Sequence, residues 1–331
     1  MSTQAFTILS FCGGGIRGLA SVTMLQELYA NHKNVISGAN MLAGTSTGAG
    51  IVAALAKGAT PEELIYIFEK EETKFYEGGS SDPTQPAYSV SAFQQKVQGE
   101  LGQQTLSGIK QNVLMTAFNV GDAAAGTGWY PQLFNNFPGS ASAGMLVSDA
   151  VVASGAMPGM FGSYQGNVDG AFVHHDPTLV AIAMAVASGQ QLSNIVAICF
   201  GTGFMQNSLG SATENWGAQQ WQTGDPQNPY NVPPLLINGG PSPILNISLN
   251  GTSSTLMTQL CTMMLTNPGG ASSRYASLNP PLDRFIPEND TNSQDLAYLV
   301  SQAKAVDTSA AVELINTYWP AQTSTAGRSR T

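Results

Sequence analysis

Residues 5–18 read AFTILSFCGGGIRG, and this stretch decides the fold. Ala5 to Phe11 is a short, mostly apolar run of the kind that forms one buried strand. Gly13, Gly14 and Gly15 end it. From Arg17 to Ala30, the residues Leu19, Val22, Leu25 and Leu28 recur at helical spacing, so a helix follows at once. A buried strand, a glycine turn and a helix form the first unit of an alternating α/β chain.

Working outward, Met41 and Leu42 end a second strand before Gly44. Thr47–Lys57 reads as a small-residue helix closed by Gly58. Thr60-Pro61-Glu62-Glu63 is a helix start, with Thr as N-cap, Pro at the first position and Glu at the third. That helix is expected to reach Tyr76, with a loop over Gly78–Pro86. Asn112–Val120 and Ile195–Phe200 read as strands. Ser148 is expected to cap a short helix ending near Gly155, and Asp176-Pro177 to open an apolar helix to Ser188. Gly201 to Pro243 reads as irregular. Helices return at Ser253–Leu265, Ser293–Ala303 and Ala310–Tyr318, and Gln322–Thr331 reads as a frayed tail. Alternating strands and helices predict a mostly parallel sheet covered on both faces.

Charged residues make up 10% of the 331, and the net charge is −9. That argues against a nucleic-acid partner, which needs clustered Lys and Arg, and against strong electrostatic docking to anionic membranes. Cys12, Cys199 and Cys261 show no metal-ligand spacing, so they read as buried free thiols, with neither metal nor cofactor expected. Met1–Gln4 carries no basic residue, and the longest apolar run, Leu179–Ala187, is about half a membrane span. A cytoplasmic location is the expectation, with export lacking a cleaved signal left open.

Gly13-Gly14-Gly15-Ile16-Arg17-Gly18 matches the dinucleotide pattern G-x-G-x-x-G. That reading needs an acid about 20 residues on to hold the ribose. Ser37, Gly38 and Asn40 stand there instead, and no acid lies between Glu27 and Glu62. The other reading is an anion cradle, in which glycine amides and a helix N-terminus converge on one point. Gly44-Thr45-Ser46-Thr47-Gly48 is the one G-x-S-x-G of the chain. It marks a sharp strand-to-helix turn that exposes a serine nucleophile between two glycines. A serine needs a positioned base. Asp169, in Asn167-Val168-Asp169-Gly170-Ala171, stands at a strand end beside a residue free to turn, and the imidazoles available are His32, His174 and His175.

Together these pieces resemble the patatin-like phospholipases. Cys12 to Gly18 is similar to that family's oxyanion motif, Gly44–Gly48 to its nucleophile elbow, and Asp169-Gly170-Ala171 to its D-G-A/G motif. Val152-Ala153-Ser154-Gly155-Ala156-Met157-Pro158 and Asp176-Pro177-Thr178-Leu179 resemble its flanking segments. The ordered set runs from Thr7 to Gly203. The resemblance implies a three-layer α/β/α fold, with residues 1–205 as catalytic core and 206–331 as an extension packed on it. It also implies a lipid acyl hydrolase, phospholipase A-type. Ser46 attacks a fatty-acyl ester and Asp169 takes its proton. Gly13, Gly14 and Gly15 hold the oxyanion, and Arg17 fixes the glycine loop or adds charge beside it. The expected partner is a lipid substrate, phospholipid or other glycerolipid, met at a membrane or micelle surface.

Two departures stand out. Cys12 replaces the usual Asp of the glycine motif, which removes an anchoring carboxylate and raises Cys12 itself as a nucleophile without an evident partner. His174-His175 replaces small polar residues, which leaves open a Ser–Asp–His triad. A non-catalytic lipid-binding or interaction protein on the same scaffold is the remaining alternative. Apolar segments at Tyr66-Ile67-Phe68 and Met157–Phe161 read as walls of an acyl channel, as a lipid-facing rim or as plain core.

Overall fold

A computed structural model describes residues 5–228, 234, 240–267, 269–270 and 272–320, apart from the side chains of 212, 252 and 253. The chain forms strands β1 (Phe6–Phe11), β2 (Met41–Thr45), β3 (Asn112–Asn119), β4 (Tyr130–Asn135), β5 (Asn167–Asp169), β6 (Ile195–Phe200) and β7 (Tyr275–Leu278). They make one sheet in the order β4-β3-β2-β1-β6-β7. The pairs β1/β2, β1/β6, β2/β3 and β6/β7 are parallel. The edge pair β3/β4 is antiparallel, as is β3/β5.

The period of two in a strand sorts side chains onto opposite faces. In β1, Leu9 and Phe11 point into one core while Phe6 and Ile8 point into the other. In β6, Val196, Ile198 and Phe200 join the first core, and Ala197 and Cys199 the second. Phe11 and Phe200 stack across the strand pair with ring centres 5.0 Å apart. The first core is closed by helix α1 (Gly18–Asn31) and helix α2 (Thr47–Ala56). The second is closed by Thr178–Ala187, whose Ala181, Ile182 and Ala185 are buried. Two cores on two faces of one sheet make the three-layer α/β/α architecture.

Residues after 205 add β7 to the outer edge of β6, and the helix Ser293–Lys304 packs on α1. Trp319 reaches back to donate its indole N–H to the Val35 carbonyl at 2.8 Å.

The strand and helix expectations hold at β1, α1, β2, α2, β3 and β6. The Thr60–Glu63 capping box is present, with each partner's side chain bonded to the other's backbone. From Pro61 to Phe75 the chain stays helical, with an i→i+5 segment at Ile67–Glu72. Three expectations need correcting, and three elements are new. Ser148 is not a cap, because the helix Val147–Ser154 begins one residue before it and Leu146 holds the N-cap position. The helix expected from Ser253 starts ten residues earlier, at Pro243, and runs through an i→i+5 segment at Ile247–Leu256. The helix Val90–Leu101 and the strands β4 and β7 were not foreseen. Gly201–Pro243 includes short helical turns at Ser211–Asn215 and Ala218–Thr223, and its residues 229–233 and 235–239 lie outside the described residues. The expected tail lies outside the described residues.

Candidate active site

Strand register brings together residues far apart in the chain. On one edge of β3, β2 pairs as far as Thr45 opposite Thr116. From Ala117 onward β5 pairs there instead, with Asp169 opposite Ala117. Strand β4 spans both stretches and so holds the other edge. The end of β5 therefore abuts the end of β2, where the chain turns at Ser46. Asp169 and the Ser46 elbow meet for this reason.

The elbow has the strain its motif predicts. Ser46 sits at φ 55°, ψ −123°, a conformation costly for a residue with a Cβ. A Cβ on Gly44 would stand 2.2 Å from the Gly48 carbonyl oxygen, and one on Gly48 would stand 2.1 Å from the Phe11 carbonyl oxygen. Neither position admits another residue. Ser154 holds the elbow in place: its Oγ accepts from the Ser46 N–H at 2.8 Å and donates to the Thr116 carbonyl at 2.6 Å. The Ser154 carbonyl accepts from the Gly170 N–H, one residue past Asp169, at 3.3 Å. One buried residue thus touches the backbone on both sides of the site.

Asp169 is 1% exposed. Its Oδ1 accepts from the Ala171 N–H at 2.7 Å, while Oδ2 makes no hydrogen bond of good geometry. Burial pushes the carboxyl up to about 7, against which the nearby Ser46 hydroxyl and the Ala171 amide favour the charged form. The Ser46 hydroxyl is thus close enough to favour the charged form of Asp169, although Oδ2 has no hydrogen-bond partner among the described residues.

The glycine loop lies across from the elbow, and a Cβ on Gly13 would meet Ser46 Cβ at 3.3 Å. The Gly13 N–H already donates to the His175 carbonyl at 3.0 Å, and its own carbonyl accepts from Thr202 Oγ1 at 2.6 Å. Of the three amides expected in the cradle, Gly13 is therefore committed to the scaffold. Gly14 and Gly15 have φ of 140° and 56°, and no carbonyl among the described residues accepts from their N–H groups. Arg17 is buried and turned toward the loop: Nε donates to the Gly14 carbonyl at 3.4 Å, and the guanidinium pairs with Glu288 at 3.2 Å. The Glu288 backbone carbonyl accepts from the Ile16 N–H at 2.7 Å. Glu288 thus supplies a carboxylate anchor that Cys12 cannot, and it comes from the far end of the chain.

Neither imidazole joins this network, since no hydrogen bond among the described residues links His174 or His175 to Ser46 or Asp169. Burial pushes His175 down to about 3, with Arg17 adding to the effect, and burial also lowers His174. Cys12 lies 3.5 Å from Cys199, sulfur to sulfur, and that contact together with burial raises its thiol well above the usual range. Such a thiol is a poor nucleophile. All three cysteines are buried and free.

Beside Ser46 a narrow cavity of about 100 Å³ is lined by Ile67, Phe68, Phe93, Met157, Met160 and Phe161, among others. Both apolar segments noted in the sequence reach it, except that Tyr66 is 60% exposed. Phe93 and Phe161 stack with ring centres 4.9 Å apart.

A family model described as patatin-like phospholipase matches residues 9–182, more than half of the 331. The chain belongs to the patatin-like phospholipase family. This patatin-like chain is 30% identical over 247 residues to CotR of Bacillus subtilis (strain 168), covering 72% of this chain and 76% of CotR. It is 28% identical over 328 residues to the protein teg of Priestia megaterium, covering 95% and 99%. Among solved structures, VipD from Legionella pneumophila superposes with a TM-score of 0.45 at 11% identity, over 96% of this chain and 68% of VipD. Membership places the patatin-like chain among the lipid hydrolases. No helix among the described residues is long and apolar enough to cross a membrane.

Proposed function

We propose that the protein hydrolyses fatty-acyl esters of lipids, phospholipase A-type, through a Ser46–Asp169 dyad. The observation that carries this is the abutment of β5 on the end of β2, which puts a buried, neutral-range carboxyl beside a strained serine. Asp169 takes the proton from Ser46 Oγ as that oxygen bonds to the ester carbonyl carbon. The carbonyl π pair moves onto oxygen, and the N–H groups of Gly14 and Gly15 receive the negative charge. One such donor is worth on the order of 3 kcal/mol. The tetrahedral centre collapses, the C–O bond to the alcohol breaks, and Asp169 returns its proton to the leaving oxygen. Water, losing a proton to Asp169, then attacks the acyl-enzyme. The fatty acid leaves and Ser46 regains its hydrogen.

A base works best when its pKa lies near the working pH. Asp169 meets that condition and His175 does not. The acyl chain enters the cavity lined by Met157, Met160 and Phe161.

The test is release of fatty acid from phospholipid and from p-nitrophenyl acyl esters. Ser46→Ala is expected to abolish both, and Asp169→Asn to reduce both by several orders of magnitude. Wild-type turnover in Ser46→Ala would refute the reading. His174→Ala with His175→Ala is expected to keep substantial activity; a collapse there would favour the triad.

A further inference from the structure

The helix from Pro243 to Leu265 has apolar groups where water should be. Ile244, Ile247, Leu256 and Met263 are 52%, 41%, 41% and 74% exposed. From Ile247 to Leu256 is about two turns of an i→i+5 helix, and from Leu256 to Met263 is about two turns of an α-helix. With Ile244 one turn earlier, the four residues fall on one stripe. Leu249, Cys261 and Leu265, all buried, anchor the helix to the body. Beside the stripe, Asn246, Asn250, Thr255, Thr258 and Gln259 line a cavity of about 650 Å³ that reaches Cys12 and His175, and Ile247 of the stripe stands at its edge.

The charge pattern is as unusual as the exposure. Between Asp225 and Arg274 there is no Asp, Glu, Lys, Arg or His, although the whole chain carries a net −9. A helix that lies on a membrane buries an apolar stripe in the headgroup boundary, and Lys or Arg beside the stripe select anionic lipid. This helix has the stripe and lacks the cations. The acidic remainder of the molecule would be repelled by an anionic surface.

We infer that the helix 243–265 is the lipid-docking face of the protein, and that the surface it fits is an electrically neutral one. The inference rests on the esterase reading for its biological sense, because Leu249 of this helix shares a buried cluster with Met157, Met160 and Phe161, which line the cavity beside Ser46. The physical claim concerns binding and can be tested apart from catalysis.

The experiment is co-sedimentation of the full chain with large vesicles of phosphatidylcholine alone and of phosphatidylcholine mixed with phosphatidylglycerol. Wild type is expected to pellet with the neutral vesicles, to be insensitive to added salt, and to bind the anionic mixture less well. Leu256→Glu combined with Met263→Glu is expected to lower the neutral-vesicle partition at least roughly tenfold, since it places two charges at the apolar boundary. Both sites are exposed, so the variant should fold, and its hydrolysis of soluble p-nitrophenyl butyrate should match wild type. Equal vesicle binding by variant and wild type overturns the inference. So does preference for the anionic mixture, or a wild-type dimer that the double variant dissociates with no vesicle binding by either. If wild type leaves p-nitrophenyl butyrate and lipid esters intact yet binds neutral vesicles, the esterase reading fails and the docking face stands.

Discussion

At the scale of single residues, Asp169 carries opposed demands. As the proposed base it must be ionised, so kcat/KM is expected to rise with pH through about 7 and then level off. As a buried group it prefers to be neutral. Its folded pKa, about 7, lies above the ordinary 3.8, so its contribution to stability is complete below the ordinary value and is lost as pH rises through 7. The cost approaches about 4 kcal/mol at alkaline pH. Asp169→Asn should therefore melt at a higher temperature than wild type at pH 8, with little difference at pH 4, while remaining inactive. Calorimetry at the two pH values checks this. Ser154 is a positioning residue, touching the Ser46 amide and the turn after Asp169 without reaching substrate. Ser154→Ala is expected to lower kcat by about ten- to a hundredfold through loss of alignment, with KM unchanged and fluorophosphonate labelling of Ser46 slowed in proportion.

At the scale of elements, the glycine loop and the acyl cavity make the next predictions. A Cβ on Gly15 would fall 2.2 Å from the Glu288 carbonyl oxygen, so Gly15→Ala should distort the loop and cost activity more than stability. Glu288→Ala leaves the Arg17 guanidinium buried without its partner. Breaking a buried pair from one side costs about 3–5 kcal/mol, and both melting temperature and turnover should fall. The cavity of about 100 Å³ is smaller than the roughly 300 Å³ at which ordinary ligand pockets begin. It therefore holds only part of a fatty-acyl chain, and Met160→Ala should raise kcat/KM for the longer p-nitrophenyl acyl esters relative to the shorter ones. The elbow, the glycine turn and the Asp169 turn were all legible in sequence, because each needs glycine at fixed local positions. Ser154 and Glu288 were not, since a hydroxyl or carboxylate gains its role only from what packs against it. Strand β4 escaped notice because Tyr130 and Pro131 are exposed and no alternation survives. The helix Val90–Leu101 buries only Val97 fully, so its stripe is faint, yet the Ser89 N-cap that starts it was there to be read.

At the scale of the molecule, the sheet order β4-β3-β2-β1-β6-β7 follows from parallel crossovers that the alternating pattern foretold. What the pattern could not tell was that β7, only four residues long, would complete the sheet from the distal third of the chain. A chain cut after residue 205 would expose the β6 edge and lose the Glu288 brace together. It is expected to aggregate and to hydrolyse nothing, as expression of that fragment would reveal. The Glu288 brace also sets an order of events during synthesis. A ribosome that has passed codon 169 has made both chemical groups of the proposed dyad, but the fastening for the glycine loop arrives more than a hundred codons later. Prematurely terminated products should therefore be harmless to the lipids of the cell that makes them, and esterase activity in a cell-free translation should switch on only when templates extend beyond codon 288.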